Sequence, residues 1–134
     1  MRIVDVHNHF YPPRYMDALR SGDSAITIKI DRDGNPEVHY PGDFNTAVRG
    51  HRDIAYRHEV LEQEGVDTQV LSLTTPGTHV ETPERAARLA RMVNDEFAEI
   101  VAARSPRFAA LATLPLNDPK ASVVEFRRAV EQLG

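Results

Sequence analysis

His7 and His9, one residue apart near the start of the chain, are the side chains whose type and spacing best suit chemistry. Neutral imidazoles on alternate residues can converge on one ion, and imidazole suits Zn2+, Mn2+ and Fe2+. The chain contains no cysteine, so a thiolate site is excluded and any metal must be held by His, Asp or Glu. A catalytic zinc usually takes three protein ligands and a water, so two histidines form an incomplete set. A bare His-x-His also occurs without a metal, each ring hydrogen-bonding at a strand end. Position favours the metal reading. Ile3-Val-Asp-Val6 is a β-branched run that reads as a buried strand. Side chains alternate along a strand, so Asp5, His7 and His9 project together from its carboxyl end.

The elements that follow repeat one theme. Pro12-Pro13 breaks the first strand, and Tyr15-Met-Asp-Ala-Leu19 reads as a single helical turn stopped near Ser21-Gly22. Ala25-Ile-Thr-Ile-Lys-Ile30 alternates in period two, and a Gly-containing loop leads to Glu37-Val-His-Tyr40, a β-hairpin over about 25–41. A helix is expected from about Arg52 to Glu64, closed by Gly65, then a strand over Val66–Leu73. Thr82 and Pro83 open a long helix whose stripe is Ala86, Leu89, Ala90, Val93, Phe97, Ile100 and Val101. Phe108–Leu114 is apolar throughout, as in a strand covered on both faces. Asp118-Pro119 opens a last helix, with Ala121, Val124, Ala129, Val130 and Leu133 on its inner side. Strand–helix three times over, with a hairpin inserted in the first unit, predicts an α/β fold with a parallel sheet. In a βα barrel the carboxyl ends of the strands carry the active site.

The chain has 134 residues, 41% apolar and 27% charged, the profile of one ordinary globular domain. A net charge of −4 gives no reason to expect nucleic acid or a membrane surface as partner. The opening residues lack the apolar core of a signal peptide, and no stretch approaches the roughly 20 apolar residues of a membrane span. A cytoplasmic enzyme is the expectation.

Asp5-Val-His-Asn-His-Phe-Tyr-Pro-Pro13 resembles the opening of the amidohydrolase-2 branch of the amidohydrolase superfamily, in particular its aminocarboxymuconate-semialdehyde decarboxylase-like group. Leu61-Glu-Gln-Glu-Gly-Val-Asp-Thr-Gln-Val-Leu-Ser72 resembles that group's approach to its second strand. Asn94-Asp-Glu-Phe97 and Pro106-Arg-Phe-Ala-Ala-Leu-Ala-Thr-Leu-Pro115 resemble its second helix and third strand. The likeness is weakest over residues 20–50. It implies a (β/α)8 TIM barrel of about 250 residues, of which residues 1–134 would be the N-terminal portion, about three of eight units. It also implies one divalent metal, zinc with manganese or iron as alternatives, and His7 and His9 as its first two ligands. The group's third ligand, a histidine from a mid-barrel strand, and its late aspartate would lie beyond Gly134. A homodimer of the full-length parent is implied as well. Phosphoesterases of the polymerase-and-histidinol-phosphatase type share a strand-one His-x-His. They usually continue with small polar residues and Asp-Gly, whereas this chain continues Phe10-Tyr-Pro-Pro13.

The resemblance further implies that an arginine near Arg49 binds the substrate carboxylate, for which a bidentate guanidinium is the natural fit. Arg52 is a rival, and a solvated surface arginine is an equal alternative for Arg49. His79, in the loop after the second long strand, shares the metal face and either contacts substrate or is simply exposed. Asp5 is expected to orient a histidine or a nearby backbone group. Phe10 and Tyr11 are expected to wall the pocket, though core packing accounts for them equally. His51 and His58, seven apart, read as surface or helix-packing residues, and His39 as an exposed hairpin residue. The expected activity of the parent is metal-dependent decarboxylation of a small aromatic or unsaturated carboxylic acid. A lactone or amide hydrolase of the same branch is the alternative. The 134-residue chain alone, an open sheet with part of a ligand set, is expected to be inactive.

Overall fold

The computed structural model of the chain describes residues 1–21 and 24–134. The first strand, β1, is only Val4–Asp5, and α1 follows over Pro13–Arg20. Ser21 ends α1, and Gly22, the other half of the expected stop, lies outside the described residues. Three short strands come next: β2 (Thr27–Ile30), β3 (Pro36–Tyr40) and β4 (Asp43–Thr46). A 3-10 turn over Arg49–His51 leads into α2 (Ile54–Gln63), β5 (Thr68–Leu71) and the long α3 (Pro83–Arg104). β6 (Phe108–Ala110) and α4 (Pro119–Arg128) complete the chain, with a widened π turn over Ala129–Leu133.

Two sheets result. β1, β5 and β6 are parallel in that order, with Val4 opposite Thr68 and Gln69 opposite Phe108. β2, β3 and β4 form a separate antiparallel sheet. The sequence shows two of its arms; β4 is additional, reached through a turn at Gly42 with φ +89°. Asp43-Phe-Asn-Thr46 has one apolar residue and no alternation, so periodicity carries no trace of it. The parallel ladders also end early, at Leu71 and Ala110 instead of Leu73 and Leu114.

Local chemistry sets the helix ends. The Asp53 side chain accepts from Tyr56 N at the start of α2, and Gly65 at φ +69° closes the turn after it. Thr82 caps α3, with Pro83 at the first position, where the missing N–H costs nothing. The buried stripe of α3 is Ala86, Leu89, Ala90, Val93 and Phe97, which packs on the parallel sheet and on α1.

The last helix departs from expectation. Val124 is 67% and Val130 57% exposed, while Ser122, Glu125 and Arg128 are buried. The polar side of α4 docks on α3 because it is a hydrogen-bonded set. Asn94 Nδ2 donates to Glu125 Oε1 at 2.7 Å, and Arg128 donates to Glu125 (2.7 and 2.9 Å) and to Asp95 (2.6 Å). Asn94 also spans to the strand side, accepting from Thr113 N at 2.7 Å. Such an interface leaves no apolar stripe of its own in the sequence.

Burial raises the Glu125 carboxyl, but the hydrogen bonds from Arg128 and Asn94 outweigh it and the net shift is downward. A lowered folded-state pKa contributes stability that is present above the ordinary value of 4.5 and lost as pH falls through the folded value. Glu125→Gln should therefore cost about 3 kcal/mol near pH 7, since it leaves Arg128 short of its partner. Thermal melts from pH 7 to 3 should show the gap between the two proteins closing below about pH 4.5. A constant gap would detach Glu125 from that pH dependence.

Candidate functional site

β1 stops at Asp5, and the chain rejoins the sheet only at Phe10, which bridges Leu73. Five residues of advance on this side, from Asp5 to Phe10, match four on the other, from Gln69 to Leu73. His7, Asn8 and His9 thus form a one-residue bulge, and the strict alternation expected through residue 9 does not hold. Buried backbone groups released from a ladder need other partners. Here side chains supply them. His7 N donates to Asp5 Oδ1 at 3.0 Å, Asn8 Nδ2 to Val70 O at 2.6 Å, and Ser72 Oγ to Asn8 O at 2.7 Å. Arg57 Nη2 donates to His9 O at 2.5 Å. The bulge turns both imidazoles outward while its backbone stays anchored.

His7 and His9 are exposed, their ring centroids 5.7 Å apart. Their hydrogen bonds run through the backbone, and among the described residues none engages a ring nitrogen of either. His51, read from the sequence as a surface or helix residue, brings its ring to 6.0 Å from that of His9. The three line one open cleft of about 430 Å³ with Asn8, Arg57 and Gln69. Burial lowers the His51 pKa, opposed by a contact between Nδ1 and Thr46 O at 3.3 Å, so the neutral ring is favoured. Among the described residues no three His, Asp or Glu side chains stand as a complete metal set.

The other candidates are placed as follows. Asp5 holds His7 N with one carboxylate oxygen and accepts from Gln69 Nε2 with the other, at 2.5 Å. Phe10 and Tyr11 do not wall the cleft: both are 0% exposed, Phe10 facing Phe97 at 6.3 Å and Tyr11 stacked on Tyr15. Arg49 does not itself line the cleft, though its neighbours Val48 and Gly50 do; its Nε is on Asp53 at 2.9 Å and its guanidinium lies 4.4 Å over the Tyr56 ring. Arg52 spends its Nε on Ala47 O at 3.1 Å. His79 is exposed and lines a neighbouring hollow formed by the loops after β5 and β6. His58 packs on the helix side, edge-on to Phe108 with ring centroids 6.1 Å apart. His39 is not free either; it contacts Glu37 at 2.9 Å and stacks on Phe44.

Sequence reasoning missed Arg57 and the placement of His51. Arg57 carried a signal, a lone arginine among the inward positions of α2 one turn from Leu61. His51 carried none, because its approach depends on the fold of the antiparallel sheet.

A family model described as amidohydrolase matches residues 4–134. Among curated relatives, a gamma-resorcylate decarboxylase of Rhodococcus jostii is 40% identical over 79 residues, covering 58% of this chain and 24% of its own length. A 2-amino-3-carboxymuconate-6-semialdehyde decarboxylase of Dictyostelium discoideum is 27% identical over 136 residues, covering 98% of this chain and 38% of its own. A solved dihydroxybenzoic acid decarboxylase of Polaromonas, with bound manganese and the inhibitor 2-nitroresorcinol, superposes with a TM-score of 0.73 at 28% identity. That comparison covers all of this chain and 36% of the other. The chain therefore spans between a quarter and two fifths of the length of these relatives. No helix among the described residues is long and apolar enough to cross a membrane.

Proposed function

The chain belongs to the amidohydrolase family, and we propose that it supplies the metal-ligand end of a decarboxylase acting on a small aromatic carboxylic acid. In this reading residues 1–134 form the opening units of a (β/α)8 barrel, with the β2–β4 sheet as an insertion after its first strand. The observation that carries it is the pair of open imidazoles, His7 and His9, presented side by side at the carboxyl end of a parallel sheet. Their donor chemistry fits one divalent ion, zinc in our reading, with manganese or iron as alternatives. Such an ion, when bound, polarises substrate oxygens or a water. The names of the relatives support an aromatic carboxylate as substrate.

The rest falls to the protein's own groups. Asp5, Asn8 and Ser72 fix the bulge, so the imidazoles need little reorganisation. His51, favoured in its neutral form, flanks them without adding a competing charge. Among the described residues Arg49 hydrogen-bonds through Nε alone, to Asp53, and its terminal nitrogens hold the substrate carboxylate as a fork.

The test is a chimera in which this chain replaces the matching stretch of a gamma-resorcylate decarboxylase, loaded with Zn2+ or Mn2+ and assayed for CO2 release from dihydroxybenzoates. Release of CO2 is expected; no CO2 from the dihydroxybenzoates, with hydrolysis of an aryl lactone or amide offered in parallel, would instead favour the hydrolase. In the same chimera Arg49→Ala should raise KM roughly 10- to 100-fold, the worth of a charged, bidentate contact. Arg49→Lys should recover only part of this, because an ammonium has no fork. Should Arg52→Ala raise KM and Arg49→Ala not, the carboxylate role passes to Arg52.

A further inference from the structure

Arg57, on α2 beneath the cleft, is 7% exposed. Its Nε donates to Gly50 O at 2.8 Å, and Nη1 to Asn8 Oδ1 and Gln69 Oε1, both at 2.8 Å. Its Nη2 donates to His9 O and Gly50 O, both at 2.5 Å. A guanidinium carries five N–H donors, and all of them are spent on protein oxygens. None of these acceptors is a carboxylate. Asp5 is reached only through Gln69, whose amide bridges the two. The Phe10 ring packs 5.2 Å from the guanidinium carbon.

A buried charge without a direct counter-charge is unfavourable, and burial pulls the Arg57 pKa down to about 10. The group stays protonated at neutral pH all the same. An apolar residue of similar size would be the simpler filler, so the acceptors must account for the arginine. They share one property. His9 O and Asn8 Oδ1 belong to the bulge that carries two imidazoles, and Gly50 O immediately precedes the third. One planar group therefore ties both imidazole-bearing segments to the amide of Gln69 on β5.

We infer that Arg57 is a positioning residue: its guanidinium fixes the His7–His9 bulge against the Gly50–His51 turn, and it does not itself bind the substrate carboxylate. No donor is left for that carboxylate. Lysine cannot replace it, since three donors radiating from one point do not span acceptors on three segments. The clamp rests on hydrogen-bond geometry alone; its bearing on metal affinity rests on the ligand reading proposed above.

The test uses the 15N-labelled 134-residue chain and reads two quantities. The first is amide exchange at Phe10 and Tyr11, whose N–H groups bond Ser72 O and His51 O, relative to Leu111, which bonds Leu71 O. The second is Co2+ affinity, followed through paramagnetic broadening of the His7 and His9 ring signals. In Arg57→Lys the exchange ratio should rise about tenfold or more, and Co2+ affinity should fall roughly 10- to 100-fold. Leu89→Ala, a core truncation on α3 away from the cleft, should lower global stability without moving either quantity. If Arg57→Lys does not fold, Asn8→Ala and Asn8→Asp are compared: both lose the bond to Val70 O, but only the first loses the Arg57 acceptor, and its ratio should be about threefold higher than that of Asn8→Asp. An unchanged ratio overturns the clamp. A raised ratio with unchanged Co2+ affinity overturns its bearing on the imidazoles. If the unsubstituted chain takes up no Co2+, as a partial ligand set allows, affinity is read in the chimera instead; no uptake there sinks the ligand reading, and the exchange ratio alone then decides the clamp.

Discussion

Replacing His9 by alanine is expected to lower affinity for Zn2+ or Co2+ by more than about 100-fold, the upper range seen when only an outer partner of a ligand is lost. His9 is the sharper choice of the pair because its ring lies between the other two, 5.7 Å from His7 and 6.0 Å from His51. Its side chain is exposed, and the bulge holds the residue through its backbone carbonyl. Fold stability should therefore stay within about 0.5 kcal/mol. Activity of the chimera should fall by roughly 10³ or more, since an ion that polarises the substrate supplies several kcal/mol at the barrier. Isothermal titration with Zn2+ measures the first quantity, thermal melting the second and CO2 release the third. Retained affinity in His9→Ala would remove His9 from the ligand set, and a large loss of stability would mean that its ring packs.

The helices were legible because their signals are local. Gly65, Thr82 and Pro83 each act within a turn of their own position, and the α3 stripe is read by spacing alone. The two imidazoles were legible for the same reason, as a short motif after a β-branched run. How they are presented was not. Regular alternation would place His7 and His9 on one face of a strand that continues. The chain instead leaves the ladder and is held by Asn8, Ser72 and Arg57, whose partners lie up to 64 residues away. Long-range polar contacts leave no period in a sequence. α4 makes the same point from the other side: an apolar stripe was visible, but a buried arginine, glutamate and asparagine decided which face docks.

Phe10→Ala is expected to destabilise the chain by about 3–5 kcal/mol, the range for removing a buried aromatic ring. For a chain of 134 residues this lowers Tm by roughly 10–20 °C. Sequence alone left Phe10 open between wall of the pocket and core. Its 0% exposure, its contact with Phe97 and its place beneath Arg57 assign it to the core. The same residue closes the bulge, through its bridge to Leu73 and the bond from its N–H to Ser72 O at 3.0 Å. Truncation should therefore loosen the end of the bulge as well as open a cavity. Metal affinity should fall along with stability, though by less than in His9→Ala, because no ligand is removed. Phe10→Leu keeps most of the volume and should cost under about 1.5 kcal/mol with affinity nearly intact. A pocket wall would behave in the opposite way. Phe10→Ala would then leave Tm unchanged and raise KM for the aromatic acid, and that pair of results would return Phe10 to the cleft.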